Sequence, residues 1–217
     1  MNPVQILSDG GTAILSILAL SVLGVAVALE RLIHCRAQRL VPGALLGALL
    51  PSMRAHDWTL ARRALQDSGT AGQSLSAPIL AFLIDHPAWS RADLSARVAD
   101  LAALGLRRQQ QRAYPLAVVA TVAPIIGLLG TVIGMIEAFH VIAFSGGLGD
   151  PALLAGGISK ALVNTATGLS VALPALAAHH WFKHRLTQIG MTLEEQLNSV
   201  LDACFPPALA HALQARP

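Results

Sequence analysis

The sequence predicts an all-α integral membrane protein in which three membrane-spanning helices carry long helical extensions into the cytoplasm. Three observations predict it. Of 217 residues, 54% are hydrophobic and only 12% charged, and the mean hydropathy is +0.58, a composition suited to lipid. The apolar residues gather in three runs, Thr12–Leu29, Leu116–Phe144 and Ala152–Phe182, each long enough to cross a bilayer. Basic residues flank these runs on one side of the membrane only.

The first run contains no charge and would be about 27 Å long as a helix at ~1.5 Å per residue. Ala26-Val27-Ala28 looks like a signal-peptide cleavage site, but nothing basic precedes the run, and Arg31, Arg36 and Arg39 follow it. That order fits a retained anchor with its N-terminus outside, so residues 1–11 read as an external tail and 12–33 as span 1. Residues 34–113 read as a cytoplasmic segment that Pro42, Pro51, Gly69, Gly72, Pro78 and Pro87 divide into short helices. Ser90 suits an N-cap for a longer helix carrying Leu94, Val98, Leu101 and Leu104 at helical spacing. It runs through Arg107, Arg108 and Arg112 into span 2, residues 114–144.

The loop 145–151 has Asp150 as its one charge, and the N-terminal tail has only Asp9. Span 3, residues 152–182, is followed by Lys183 and Arg185. The positive-inside rule therefore puts the N-terminus and the 145–151 loop outside and the 183–217 tail in the cytoplasm. In that tail Leu186, Ile189, Leu193, Leu197 and Val200 extend span 3 as an amphipathic helix, packing on the 34–113 segment or on neighbouring subunits.

The same residues argue against other functions. Aromatics are 4% of the chain, too few for a nucleic-acid stacking platform. Gly156-Gly157-Ile158-Ser159-Lys160 lacks the spacing of a phosphate loop, and the eight histidines are scattered. No enzyme, catalytic residue, metal or cofactor is expected. Cys35 and Cys204 form no C-x-x-C pair and read as free thiols.

What remains is a set of polar residues inside spans 2 and 3. Gly130 and Gly134 form a G-x-x-x-G, and Ala123 with Gly127 adds another small pair, spacing that lets helix backbones approach closely. Pro124 and Pro174 would free backbone carbonyls. Thr131 and Thr165 sit mid-span on the two limbs of a hairpin, where each hydroxyl either bonds a carbonyl one turn back or lines a hydrated path. Glu137 and Lys160 are charges where insertion costs about 2.5–3.5 kcal/mol each. They lie about 9 Å and 7.5 Å outward of the two threonines, hence nearly level if the threonines are level. A Glu137–Lys160 ion pair, within a subunit or across a boundary, would account for both; the alternative is a Lys160 that snorkels to the outer interface.

Two stretches resemble a known family. Residues 120–139, ATVAPIIGLLGTVIGMIEAF, resemble the second span of MotA/TolQ/ExbB proton-channel proteins, and residues 157–175, GISKALVNTATGLSVALPA, resemble their third. The match is dense over 115–185, and the three-span order is similar to ExbB and TolQ rather than to four-span MotA. The resemblance implies a homopentameric ring in the inner membrane of a Gram-negative bacterium, around two copies of an ExbD/TolR-like single-span partner. An aspartate of that partner would carry the translocated proton past Thr131 and Thr165, coupling its flow to a periplasmic task. That task would be TonB-dependent outer-membrane transport in an ExbB role, or envelope maintenance at division through a TolA-like protein in a TolQ role. Two positions depart from the family: Lys160 stands where ExbB and TolQ often have glutamate, and His179-His180 replace an asparagine near the end of span 3. A non-conducting membrane scaffold of the same fold is the competing reading, and Lys160 is its best support.

Overall fold

The computed structural model describes residues 11–35, 37–69, 74–144 and 151–205. Among these the chain is helical without strands: α1 (Gly11–His34), α2 (Ala37–Leu40), α3 (Gly43–Arg54), α4 (Trp58–Asp67), α5 (Ser76–Asp85), α6 (Arg91–Phe144) and α7 (Pro151–Cys204). Three of them, α1, α6 and α7, are long and apolar enough to cross a membrane. Asp9, Arg36, Gly72, Asp150 and the tail beyond Phe205 lie outside the described residues. The chain divides into two compact units, one from Met1–Arg31 with Ala113–Phe182 and the other from Leu32–Arg112 with Lys183–Pro217.

In the first unit, α1 buries a single stripe, Ile14, Ile17, Gly24 and Arg31, at helical spacing. Leu15, Leu18, Val22, Leu23, Val25 and Leu29 remain exposed, an apolar surface suited to hydrocarbon. Gly24 lies against the Val119 side chain and Ala13 against Gly130, so α1 runs antiparallel to α6. The α6–α7 hairpin closes on small residues: Gly134 faces Ala161, Gly157 faces Ala138, and Gly168 faces Gly127 and the Ala123 carbonyl. Lipid offers helices no hydrophobic reason to associate, so close backbone contact has to supply the attraction. Both helices continue through Pro124 and Pro174.

The second unit is built around a core of large apolar side chains. Leu186, Ile189, Leu193, Leu197 and Val200 are all buried, as are Leu94 and Val98. Leu101 is half-buried, but Leu104 is 47% exposed, off the stripe that the sequence pattern assigns it. At about 100° per residue, position 104 is turned ~80° from Leu94 whereas 105 is within ~20° of it. Gly105 takes the inward place, where a Cβ would stand 3.0 Å from the Leu75 side chain.

Pro51 does not divide the segment; it lies inside α3. The hydrogen bond it cannot make would have gone to the Gly47 carbonyl on the exposed side of the helix, where water can replace it. Pro78 is likewise internal, the third residue of α5. Pro42 and Pro87 do bound helices, and Gly69 follows α4 with φ +63°, a conformation glycine adopts without strain.

Capping is explicit in this unit. The Asp57 carboxylate accepts from the Leu60 N–H at 3.0 Å and from the Thr59 hydroxyl at 2.7 Å, which holds its pKa below the ordinary value of 3.8. Ser90 caps α6, its Oγ accepting from the Asp93 N–H at 3.2 Å and donating to the Asp93 carboxylate at 2.6 Å. Arg91 closes the far end of α7, donating to the carbonyls of Leu201 (3.2 Å) and Phe205 (2.9 Å) and pairing with Asp202. Phe205 then stacks on Trp58 at 5.6 Å. Cys204 is buried beside this clasp, and burial pushes its thiol pKa up.

Candidate functional site

The candidate site is the middle of the α6–α7 hairpin. Its register comes from the glycines. Opposite Gly127 an added Cβ would stand 2.8 Å from the Asn164 carbonyl oxygen and 3.1 Å from Thr165 Cα. Opposite Gly130 it would stand 2.8 Å from Asn164 Nδ2 and 3.0 Å from Ala13 Cβ. Gly134 would meet Ala161 Cβ at 3.2 Å. Gly127, Gly130 and Gly134 thus form one seam along α6, and they set Thr131 and Thr165 at the same level of the hairpin.

The two threonines are level but not alike. Thr131 is half-buried, and its hydroxyl donates to the Leu128 carbonyl at 2.6 Å. The hydroxyls of Thr121, Thr167 and Ser170 bond back to carbonyls in the same way. Thr165 does not: its Oγ1 is buried with no hydrogen-bond partner.

Glu137 and Lys160 are both exposed. With Gly134 facing Ala161 and Ala138 facing Gly157, they sit within about 3 Å of each other along the hairpin axis. They form no ion pair with each other; the ion pairs among the described residues include Glu30–Arg31, Arg62–Asp85 and Arg91–Asp202. Both side chains are thus open to contact from outside the hairpin.

Two further residues of this unit carry a buried polar atom without a partner, and of these only His179 stands out in the sequence. Asn164 is 5% exposed and its Oδ1 has no partner. An amide in the middle of an apolar run is the signal that could have found it. His179 is half-buried with an unpartnered Nδ1, while His180 beside it is exposed. No group of three or more His, Cys, Asp or Glu residues capable of holding a metal occurs among the described residues.

The seam, the level threonines and the intramembrane charges lie inside a segment with known relatives: residues 90–195 match the MotA/TolQ/ExbB proton channel family. Over those residues, just under half of its length, the chain is similar to that family. It is 38% identical over 85 residues to the biopolymer transport protein exbB1 of Vibrio cholerae, covering 39% of this chain and 37% of that one. The biopolymer transport protein ExbB of Helicobacter pylori is 40% identical over 92 residues, 42% of this chain and 61% of that one. The ExbB of Neisseria gonorrhoeae is 40% identical over 111 residues, 51% of this chain and 44% of that one. The matches span about two-fifths to three-fifths of these relatives' lengths. The chain thus combines three helices long and apolar enough to cross a membrane with a segment similar to ExbB proteins.

Proposed function

We propose that this protein is the ring-forming subunit of a proton-motive-force-driven inner-membrane motor of the ExbB kind, coupling proton flow to TonB-dependent outer-membrane transport. One observation carries the reading: two mid-span threonines stand level on the limbs of a hairpin whose seam is glycine. Hydroxyls at one depth give a proton pathway donors and acceptors where hydrocarbon gives none. The ring would be a homopentamer enclosing an ExbD/TolR-like single-span protein whose intramembrane aspartate carries the proton. A TonB-like partner would receive the resulting motion.

In that ring Glu137 and Lys160 would pair across subunit boundaries, since both are exposed on the single chain. Charges brought together from two subunits lose less by leaving water than either would alone. The N-terminus and the loop after α6 would face the periplasm, and the second unit the cytoplasm.

The experiment is co-expression with a single-span, aspartate-bearing chain, native mass of the purified complex, and proton flux in liposomes. A five-to-two assembly that conducts, and loses about tenfold or more of its flux (~1.4 kcal/mol) on Thr165→Val, supports the motor. A ring that takes up the partner and conducts nothing refutes it in favour of a scaffold, the reading that Lys160 in place of an acid favours. An assembly that recruits only a TolA-like protein would assign the Tol-Pal role instead.

A further inference from the structure

We infer that the junction of α1, α6 and α7 holds a bound water molecule inside each subunit, between Asn164 Oδ1 and Thr165 Oγ1. Both atoms are buried and unpartnered, on consecutive residues of α7. Asn164, itself 5% exposed, is packed over Gly130, where the α1 residue Ala13 also arrives. Three helices therefore meet at one amide, with Gly130 of α6 and Ala13 of α1 against it.

A hydroxyl in a spanning helix ordinarily satisfies itself on the carbonyl one turn back, as Thr131, Thr167 and Ser170 do here. Thr165 keeps both its proton and its lone pairs unused. Asn164 Oδ1 can only accept, so the missing partner must donate. A water donates to the amide oxygen through one O–H and exchanges a second hydrogen bond with the hydroxyl, which meets the two-partner minimum for a buried water. At Gly130 the seam is tight: an added Cβ would stand 2.8 Å from Asn164 Nδ2, so the nitrogen end of the amide is held against α6 and its oxygen is the end left unpartnered. The site stands on the geometry of one chain and does not depend on ion conduction.

The test is water-to-protein magnetisation transfer by solid-state NMR on the full chain in lipid bilayers, with labelled asparagine and threonine. We expect early transfer to the Asn164 side-chain amide and to Thr165, and none of comparable rate to Thr167. Thr165→Val should remove at least half of the Asn164 transfer. Absence of transfer to Asn164 in the unsubstituted protein overturns the inference, because the junction is then dry. Unchanged Asn164 transfer in the Thr165→Val protein overturns the two-residue site. Repeating the spectra with potassium exchanged for sodium at fixed ionic strength separates water from a cation. A saturable shift of the Asn164 resonance with sodium alone would replace the water with a metal ion and overturn the inference as stated.

Discussion

At the scale of single residues, the same residue type behaves differently according to what lies opposite it. Gly127 faces a backbone oxygen at 2.8 Å from an added Cβ, whereas Gly156 faces nothing within 4 Å. Gly127→Ala should therefore destabilise the purified protein by about 1–3 kcal/mol, since backbone cannot move aside as a flexible side chain can. Gly156→Ala should be neutral or gain up to ~1 kcal/mol from helix propensity. Melting temperatures in detergent compare the two, and equal losses would remove the seam from the account. Asp57 supplies a pH dependence. Its pKa is held below 3.8 chiefly by the Leu60 N–H and then by the Thr59 hydroxyl. Its contribution is thus complete above the ordinary carboxylate range and disappears as pH falls through the depressed folded value. Asp57→Asn keeps an acceptor at the cap, so its loss of melting temperature on acidification should be smaller than that of the unsubstituted protein.

Among the elements, α7 shows how one helix serves two environments. Between Ala161 and Ala175 its buried positions are alanine, glycine and Asn164, residues that permit close approach in lipid. From Phe182 to Val200 they are Phe, Leu, Ile and Val, which fill an apolar core. Leu193 is fully buried while Met191 two residues earlier is 52% exposed. Leu193→Ala should cost ~2–5 kcal/mol and Met191→Ala less than ~0.5 kcal/mol. Chemical denaturation of the two variants reads the difference directly. This stripe was legible in the sequence because a helix in water keeps a regular apolar period. The inward turn of Gly105 in place of Leu104 was not, since a glycine adds nothing to a hydrophobic count.

For the whole molecule, the exposed apolar surface and the exposed charges argue together for assembly. Only 17% of the apolar window of α1 and 28% of those of α6 and α7 are buried within the chain. Glu137 and Lys160 would stand unpaired in the same region of a lone subunit. Lys160→Met should accordingly weaken the oligomer, and adding Glu137→Gln should restore it, as read by native mass over a concentration series. A double substitution no better than the single one would leave Lys160 snorkelling to the outer interface.

The sequence by itself determined three helices long and apolar enough to cross a membrane, the apolar stripe of α7 beyond Phe182 and the likeness to the MotA/TolQ/ExbB family. These follow from composition, charge placement and period, which act over a few turns of one helix. Only the tertiary structure decided that Thr131 is bonded back to its own helix while Thr165 is not, that Asn164 is the buried amide at a three-helix junction, and that Glu137 and Lys160 miss each other within one chain. Each of those depends on the rotation and register of one helix against another. Glycine and alanine set that register through backbone contact, and they leave no hydrophobic pattern in the sequence to announce it.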